Sequence, residues 1–104
     1  MPQYLLAYHG GATPTTPEEG EQVMAAWMGW MQGLGSALSD GGRPIGEART
    51  VSADGSVAHD AGANPVTGYS VLQAASLDDA VAKVAGCPVF AAGGSVEVCE
   101  TLEI

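Results

Sequence analysis

The chain has 104 residues, 46% of them hydrophobic and 14% charged, which supplies apolar material for one core and leaves no length for a second domain. Twelve acidic residues against three basic ones give a net charge of −9, which repels the phosphates of nucleic acids and anionic membrane surfaces. No apolar run approaches the ~20 residues of a membrane-spanning helix, and Met1-Pro2-Gln3-Tyr4 lacks the basic stretch of a secretory signal, so a cytoplasmic location is expected.

Gln3 to His9 reads as the first strand, with Tyr4, Leu6 and Tyr8 on one face and Leu5, Ala7 and His9 on the other. Gly10-Gly11 ends it. Thr16-Pro17-Glu18-Glu19 then has the form of a helix start: threonine as N-cap, proline where no amide is missed, and glutamate three residues after the cap. The helix is expected from Pro17 to about Leu38, with an apolar stripe of Val23, Trp27, Trp30, Met31, Leu34 and Leu38. Gly29, Gly33 and Gly35 each cost about 1 kcal/mol of helix propensity relative to alanine. Either another backbone approaches them closely, or the helix ends early near Gly33 or Gly35.

Ser39 to Pro44 is expected as a loop, Ile45 to Ser52 as a strand, and Asp54-Gly55 as the tight turn of a hairpin returning through Val57 and Ala58. His59 to Pro65 is a small-residue connection. Val66 to Ala75 is rich in β-branched and aromatic residues, with apolar positions on both faces. Ser76 is placed to cap a second helix by accepting from the Asp79 amide, and Asp78 and Asp79 suit its positive end. Leu77, Val81 and Val84 are its expected stripe and Gly86 its stop. A loop through Cys87-Pro88 leads to a last strand from Ser95 to Ile104, with Glu97, Cys99, Thr101 and Glu103 on one face and Val96, Val98, Leu102 and Ile104 mostly on the other.

Two passes of strand, helix and strand with a hairpin between them predict an α+β fold: an antiparallel sheet with both helices on one face. Strands that are apolar on both faces leave the second face to be covered, so a homodimer packed sheet against sheet is expected. Cys87 and Cys99 lack the CxxC spacing of redox or zinc sites and are expected as reduced thiols, with no metal or cofactor.

Five segments resemble, in order and spacing, the YCII-related proteins, and more narrowly their branch with an Asp-Gly-Pro-Phe signature. They are Trp27-Met-Gly-Trp30, Asp40-Gly-Gly-Arg-Pro44, Val51 with Asp54-Gly55, Gly68-Tyr-Ser-Val-Leu-Gln-Ala74 with Ser76-Leu-Asp-Asp-Ala80, and Gly94-Ser-Val-Glu-Val98. The resemblance covers nearly the whole chain. It implies a ferredoxin-like βαββαβ fold that dimerises into an α+β barrel with a cleft between helices and sheet. The family's proposed chemistry is a His-Asp dyad, but here the helix position falls near Ala25 or Ala26 and the aspartate step reads Cys87-Pro88, so both partners are replaced. The signature is reduced too, to Asp60-Ala-Gly-Ala-Asn-Pro65.

Six residues are weighed for function. His9, one of two histidines, is the candidate general base, against a hydrogen-bonded or solvated histidine at a strand end. His59 reads as a solvated arm residue beside Asp60. Trp27 and Trp30 are either core residues or the wall of a ligand cleft. Arg43, in a glycine-flanked loop, is either an anchor for a ligand carboxylate or half of a surface ion pair. Cys87 is a candidate nucleophile and ligand-side thiol, against an inert packed one, since its neighbours supply no base. The resulting expectation is a small-molecule-binding protein, with or without catalysis. The second reading is a cofactor-independent isomerase, lyase or dehydrochlorinase-like enzyme acting on a small aromatic or carboxylate metabolite.

Overall fold

A computed structural model of the protein describes residues 1–103; the expected place of Ile104 on the last strand lies outside them. Strand β1 runs Gln3–His9, with Tyr4, Leu6 and Tyr8 in the core as expected, while Ala7 and His9 on the other face are buried as well. Helix α1 spans Pro17–Leu34, its Thr16 hydroxyl accepting from the Glu19 amide at 3.1 Å. The Glu19 carboxylate accepts in turn from the amide and hydroxyl of Thr15, at 2.9 and 3.0 Å.

The early end of that helix is the one realised. Gly35 (φ 58°) turns the chain, a single 3₁₀ turn covers Gly35–Ala37, and Leu38 belongs to strand β2, Leu38–Asp40. The expected loop at Ser39 therefore starts as a strand, because Leu38 and Asp40 pair with the strand that follows the arm. No other backbone approaches Gly29, Gly33 or Gly35; a β-carbon added at any of them meets nothing within 4 Å. Val23 also stays exposed, and no residue of α1 is fully buried.

The expected strand from Ile45 shrinks to β3, Thr50–Val51, paired with β4, Val57–Ala58, in a separate two-stranded sheet. The turn itself forms as read: Asp54 Oδ1 accepts from the Ser56 amide at 2.9 Å and Gly55 sits at φ 88°. Strand β5, Val66–Gln73, pairs with both β1 and β2, and strand β6 is Ser95–Glu100, shorter than expected. Just past it, Thr101 donates both its amide, at 3.2 Å, and its hydroxyl, at 2.7 Å, to the Gln3 carbonyl.

Between them lies α2, Leu77–Lys83, capped by Ser76, whose hydroxyl accepts from the Asp79 amide at 3.1 Å. Its buried face differs from the expected stripe: Ala80 and Val84 pack inward while Leu77 and Val81 are largely exposed. The small Ala80 lets the helix lie close to the sheet, and that rotation turns the two larger residues outward. In place of a simple loop, Cys87 opens a four-residue helix α3, Pro88–Ala91, with proline at its first position.

The architecture is α+β, with a four-stranded antiparallel sheet in the order β2-β5-β1-β6, compatible with a ferredoxin-like arrangement. Tyr4, Leu6, Tyr8, Leu72 and Ala74 form the helix side of the core with Ala80, Val84, Cys87 and Val89. Leu6 and Leu72 are completely buried, each contributing about 1.5–3 kcal/mol. The opposite face carries Leu5, Ala7, Tyr69, Val71 and Cys99, and no helix of the described residues covers it. Among the described residues, no helix is long and apolar enough to cross a membrane.

Candidate functional site

Helix α1 stands on its large side chains. Trp27 meets the Tyr8 ring edge-on at 4.8 Å between centroids, and Trp30 meets Trp27 in the same way at 5.8 Å. Trp30 also donates its indole N–H to the Ala85 carbonyl at 3.2 Å, tying α1 to the turn after α2. Both tryptophans remain partly open to solvent.

Beneath this aromatic corner runs a buried polar chain. The Tyr8 hydroxyl donates to Ser70 Oγ at 2.9 Å, and the Ser70 hydroxyl donates to the Gly41 carbonyl at 2.8 Å. The loop carrying Gly41 and Gly42 is thereby fixed to the sheet, with Gly42 (φ 71°) so close to the Tyr69 carbonyl that no β-carbon fits. Burial pushes the Tyr8 phenol up to about 12, with the Ser70 hydrogen bond offsetting part of the rise.

Arg43 follows in that same loop. Its carbonyl accepts from the Tyr69 amide at 3.2 Å, while its side chain is exposed and makes no ion pair among the described residues. Cys87 lies behind the corner, 2% exposed, and burial pushes its thiol up, away from thiolate formation.

His9 is elsewhere. Its place in β1 turns it to the opposite sheet face, where it is almost fully buried. Nε2 lies 2.9 Å from Glu97 Oε1, and Nδ1 lies 3.1 Å from both the Asn64 and Pro65 carbonyls. All three neighbours are carbonyl or carboxylate oxygens, so both ring nitrogens face acceptors. The sheet thus separates His9 from Trp27, Trp30 and Cys87. The first group is gathered; the proposed base is not part of it.

Three participants escaped sequence reasoning. Tyr8 and Ser70 look like ordinary alternating strand residues, and Glu97 is 88 positions from the histidine it meets. Only the register, with Ala7 opposite Glu97 and Leu6 opposite Ser70, brings them to their partners. His59 is exposed in the arm, as read. Two shallow hollows lie away from the aromatic corner: one of 450 Å³ along the outer side of α1 beside Met24 and Met28, the other of 530 Å³ beside Met1 and Thr101. Among the described residues, no three His, Cys, Asp or Glu side chains converge as a metal-binding group. The chain matches no protein-family model, and no curated protein matches it significantly.

Proposed function

We propose that the protein is a non-catalytic, small-molecule-binding protein of the YCII-related kind, cytoplasmic, ferredoxin-like in topology and dimeric through its open sheet face. The ligand site is the aromatic corner of Trp27 and Trp30, with Arg43 at its edge as anchor for an acidic group and Cys87 as part of the apolar floor. The observation that carries this reading is the edge-on contact of buried Tyr8 with the partly exposed Trp27, and of Trp27 with Trp30, over a hydrogen-bonded polar chain that fixes the loop of Gly41, in which Arg43 has no ion-pair partner among the described residues. Edge-to-face aromatic rings with one cation suit a planar carboxylate.

Binding is favoured over catalysis because each candidate reactive group is held in an unreactive state. The Cys87 thiol and the Tyr8 phenol are both raised by burial, and both His9 nitrogens are occupied. The His9–Glu97 pair is the observation that keeps the enzymatic reading in play, since a carboxylate on one nitrogen orients an imidazole for base work. That role requires Asn64 and Pro65 to move off Nδ1 first.

With only two tryptophans, the indole N–H resonances provide a direct test. Titration with benzoate as the probe is expected to shift both signals saturably, and Arg43→Ala to weaken the binding about tenfold. A linear, non-saturating response, or one indifferent to Arg43→Ala, contradicts the proposed site.

A further inference from the structure

His9 is a buried titratable side chain, 6% exposed, that the proposed ligand site does not use. It stands where the hairpin arm, residues 45–65, leaves and rejoins the sheet. The ladder slips at this point: Tyr8 lies opposite Gly68 and His9 opposite Val66, so Thr67 is the extra residue of a β-bulge. The Thr67 hydroxyl lies 3.2 and 3.1 Å from the carbonyls of Tyr8 and Gly10. The two roots of the arm are held in different ways. At the outgoing root the contacts are backbone to backbone, with the Ile45 amide donating to the Thr67 carbonyl at 3.0 Å and the Tyr69 amide to the Arg43 carbonyl at 3.2 Å. At the returning root, the Asn64 and Pro65 carbonyls meet Nδ1 of the His9 ring, each at 3.1 Å.

The charge state of the ring decides whether that second root is held. A neutral imidazole has one N–H and one lone pair, whereas here both nitrogens face oxygen acceptors. The imidazolium satisfies both sides. When it loses a proton, the one on Nε2 is the better held, because it faces the Glu97 carboxylate at 2.9 Å and a bond to a charged acceptor is stronger than one to carbonyls. The Nδ1 lone pair then points at two carbonyl oxygens, with no donor between them. Residues 61–65 are exposed and belong to no strand, so this stretch is free to shift away.

Glu97 is the one titratable side chain within hydrogen-bond or ion-pair reach of the ring among the described residues. The facing part of β5, Val66-Thr67-Gly68, and the α3 turn, Pro88 to Gly94, carry none. On β6, Cys99 follows Glu97 on the same face, and burial and the Glu97 charge both push its thiol up. In the arm, His59 and Asp60 are exposed and do not bond the ring.

We propose that His9 is a protonation-dependent latch: with both ring nitrogens protonated it holds residues 64 and 65 to the sheet, and on losing the Nδ1 proton it releases them. The latch is closed at low pH and opens as pH rises through the titration of the ring, while the outgoing root at Ile45 stays in place. The proposal is independent of the ligand site on the other side of the sheet.

The test is an NMR titration of the full chain from about pH 5 to 8, the range in which imidazoles ordinarily titrate. The His9 ring nitrogens are followed together with the amides of Ile45, Asn64 and Val66. Nδ1 is expected to lose its proton first, the Asn64 and Val66 signals to move with the same midpoint, and the Ile45 signal to stay. Glu97→Gln is expected to abolish the movement at Asn64 and Val66, because a carboxamide N–H can serve the Nε2 lone pair and leave the Nδ1 proton on the carbonyls. Glu97 is 63% exposed, so the substitution leaves the core intact. His59→Gln, which removes the other imidazole, is expected to leave the movement unchanged. A ring that does not change across the range, one that sheds the Nε2 proton first, or root amides that do not follow the ring would overturn the latch. So would a response that survives Glu97→Gln in full or disappears with His59→Gln.

Discussion

Tyr8 combines two contacts that are usually found apart, a ring edge against Trp27 and a hydroxyl committed to Ser70. Removing the hydroxyl with Tyr8→Phe is expected to cost about 0.5–1.5 kcal/mol, the ordinary net worth of one hydrogen bond. Ser70→Ala leaves both the Tyr8 hydroxyl and the Gly41 carbonyl short of a partner in a buried place, so about 1–3 kcal/mol is expected, measured by urea denaturation. The phenol also sets an alkaline limit. Its folded value of about 12 lies above the usual 10, so the neutral form favours the folded state. That stabilisation is complete below pH 10 and is lost as pH rises from 10 through 12. Tyr8→Phe should therefore flatten the fall in stability over that window, and an unchanged slope would show that the phenol is not the group responsible. Nothing local in the sequence marked this residue. Tyrosine in a strand is common, and its partner stands 62 positions away.

At the scale of the elements, what was readable was what is decided locally. Thr16 and Ser76 were legible as caps because the donor each one satisfies lies three residues on, and Asp54-Gly55 was legible as a turn because its hydrogen bonds close within the turn itself. Thr16→Ala or Ser76→Ala is expected to cost about 1 kcal/mol by thermal or chemical denaturation. Asp79 adds to the second cap through the Ala75 amide, which holds its carboxyl below the usual range; that support is present above the ordinary aspartate value and lost as pH falls through the lowered one. The end of α1 and the inward face of α2 were less legible, since both depend on packing partners far along the chain. Glycines prompted the expectation of a close backbone. In the folded chain, only some glycines meet one. Gly29→Ala faces open space and is expected to stabilise by about 1 kcal/mol, while Gly94→Ala drives a β-carbon to 2.5 Å from the His9 carbonyl oxygen and should destabilise markedly. Equal effects at the two positions would contradict this account of the helix.

Taken whole, the molecule is one layer of helices on one four-stranded sheet, 18 Å thick at its narrowest, with a second sheet face that no helix of the described residues covers and an exposed hairpin arm. Strands β1 and β5 were legible because apolar, aromatic and β-branched residues run through Gln3–His9 and Val66–Gln73 between turn residues. The strand order β2-β5-β1-β6 and the division of the candidate residues between two faces were not, because they depend on register and not on spacing. His9, Trp27 and Cys87 looked like members of one site in a list of reactive residues; the sheet that passes between them makes them members of two. The proposed dimer forms through the sheet face that no helix of the described residues covers. Sedimentation equilibrium of the full protein across low micromolar concentrations therefore tests the account most directly. A mass near twice the 10.5 kDa of the chain is the predicted result, and a single-chain mass throughout that range would contradict it.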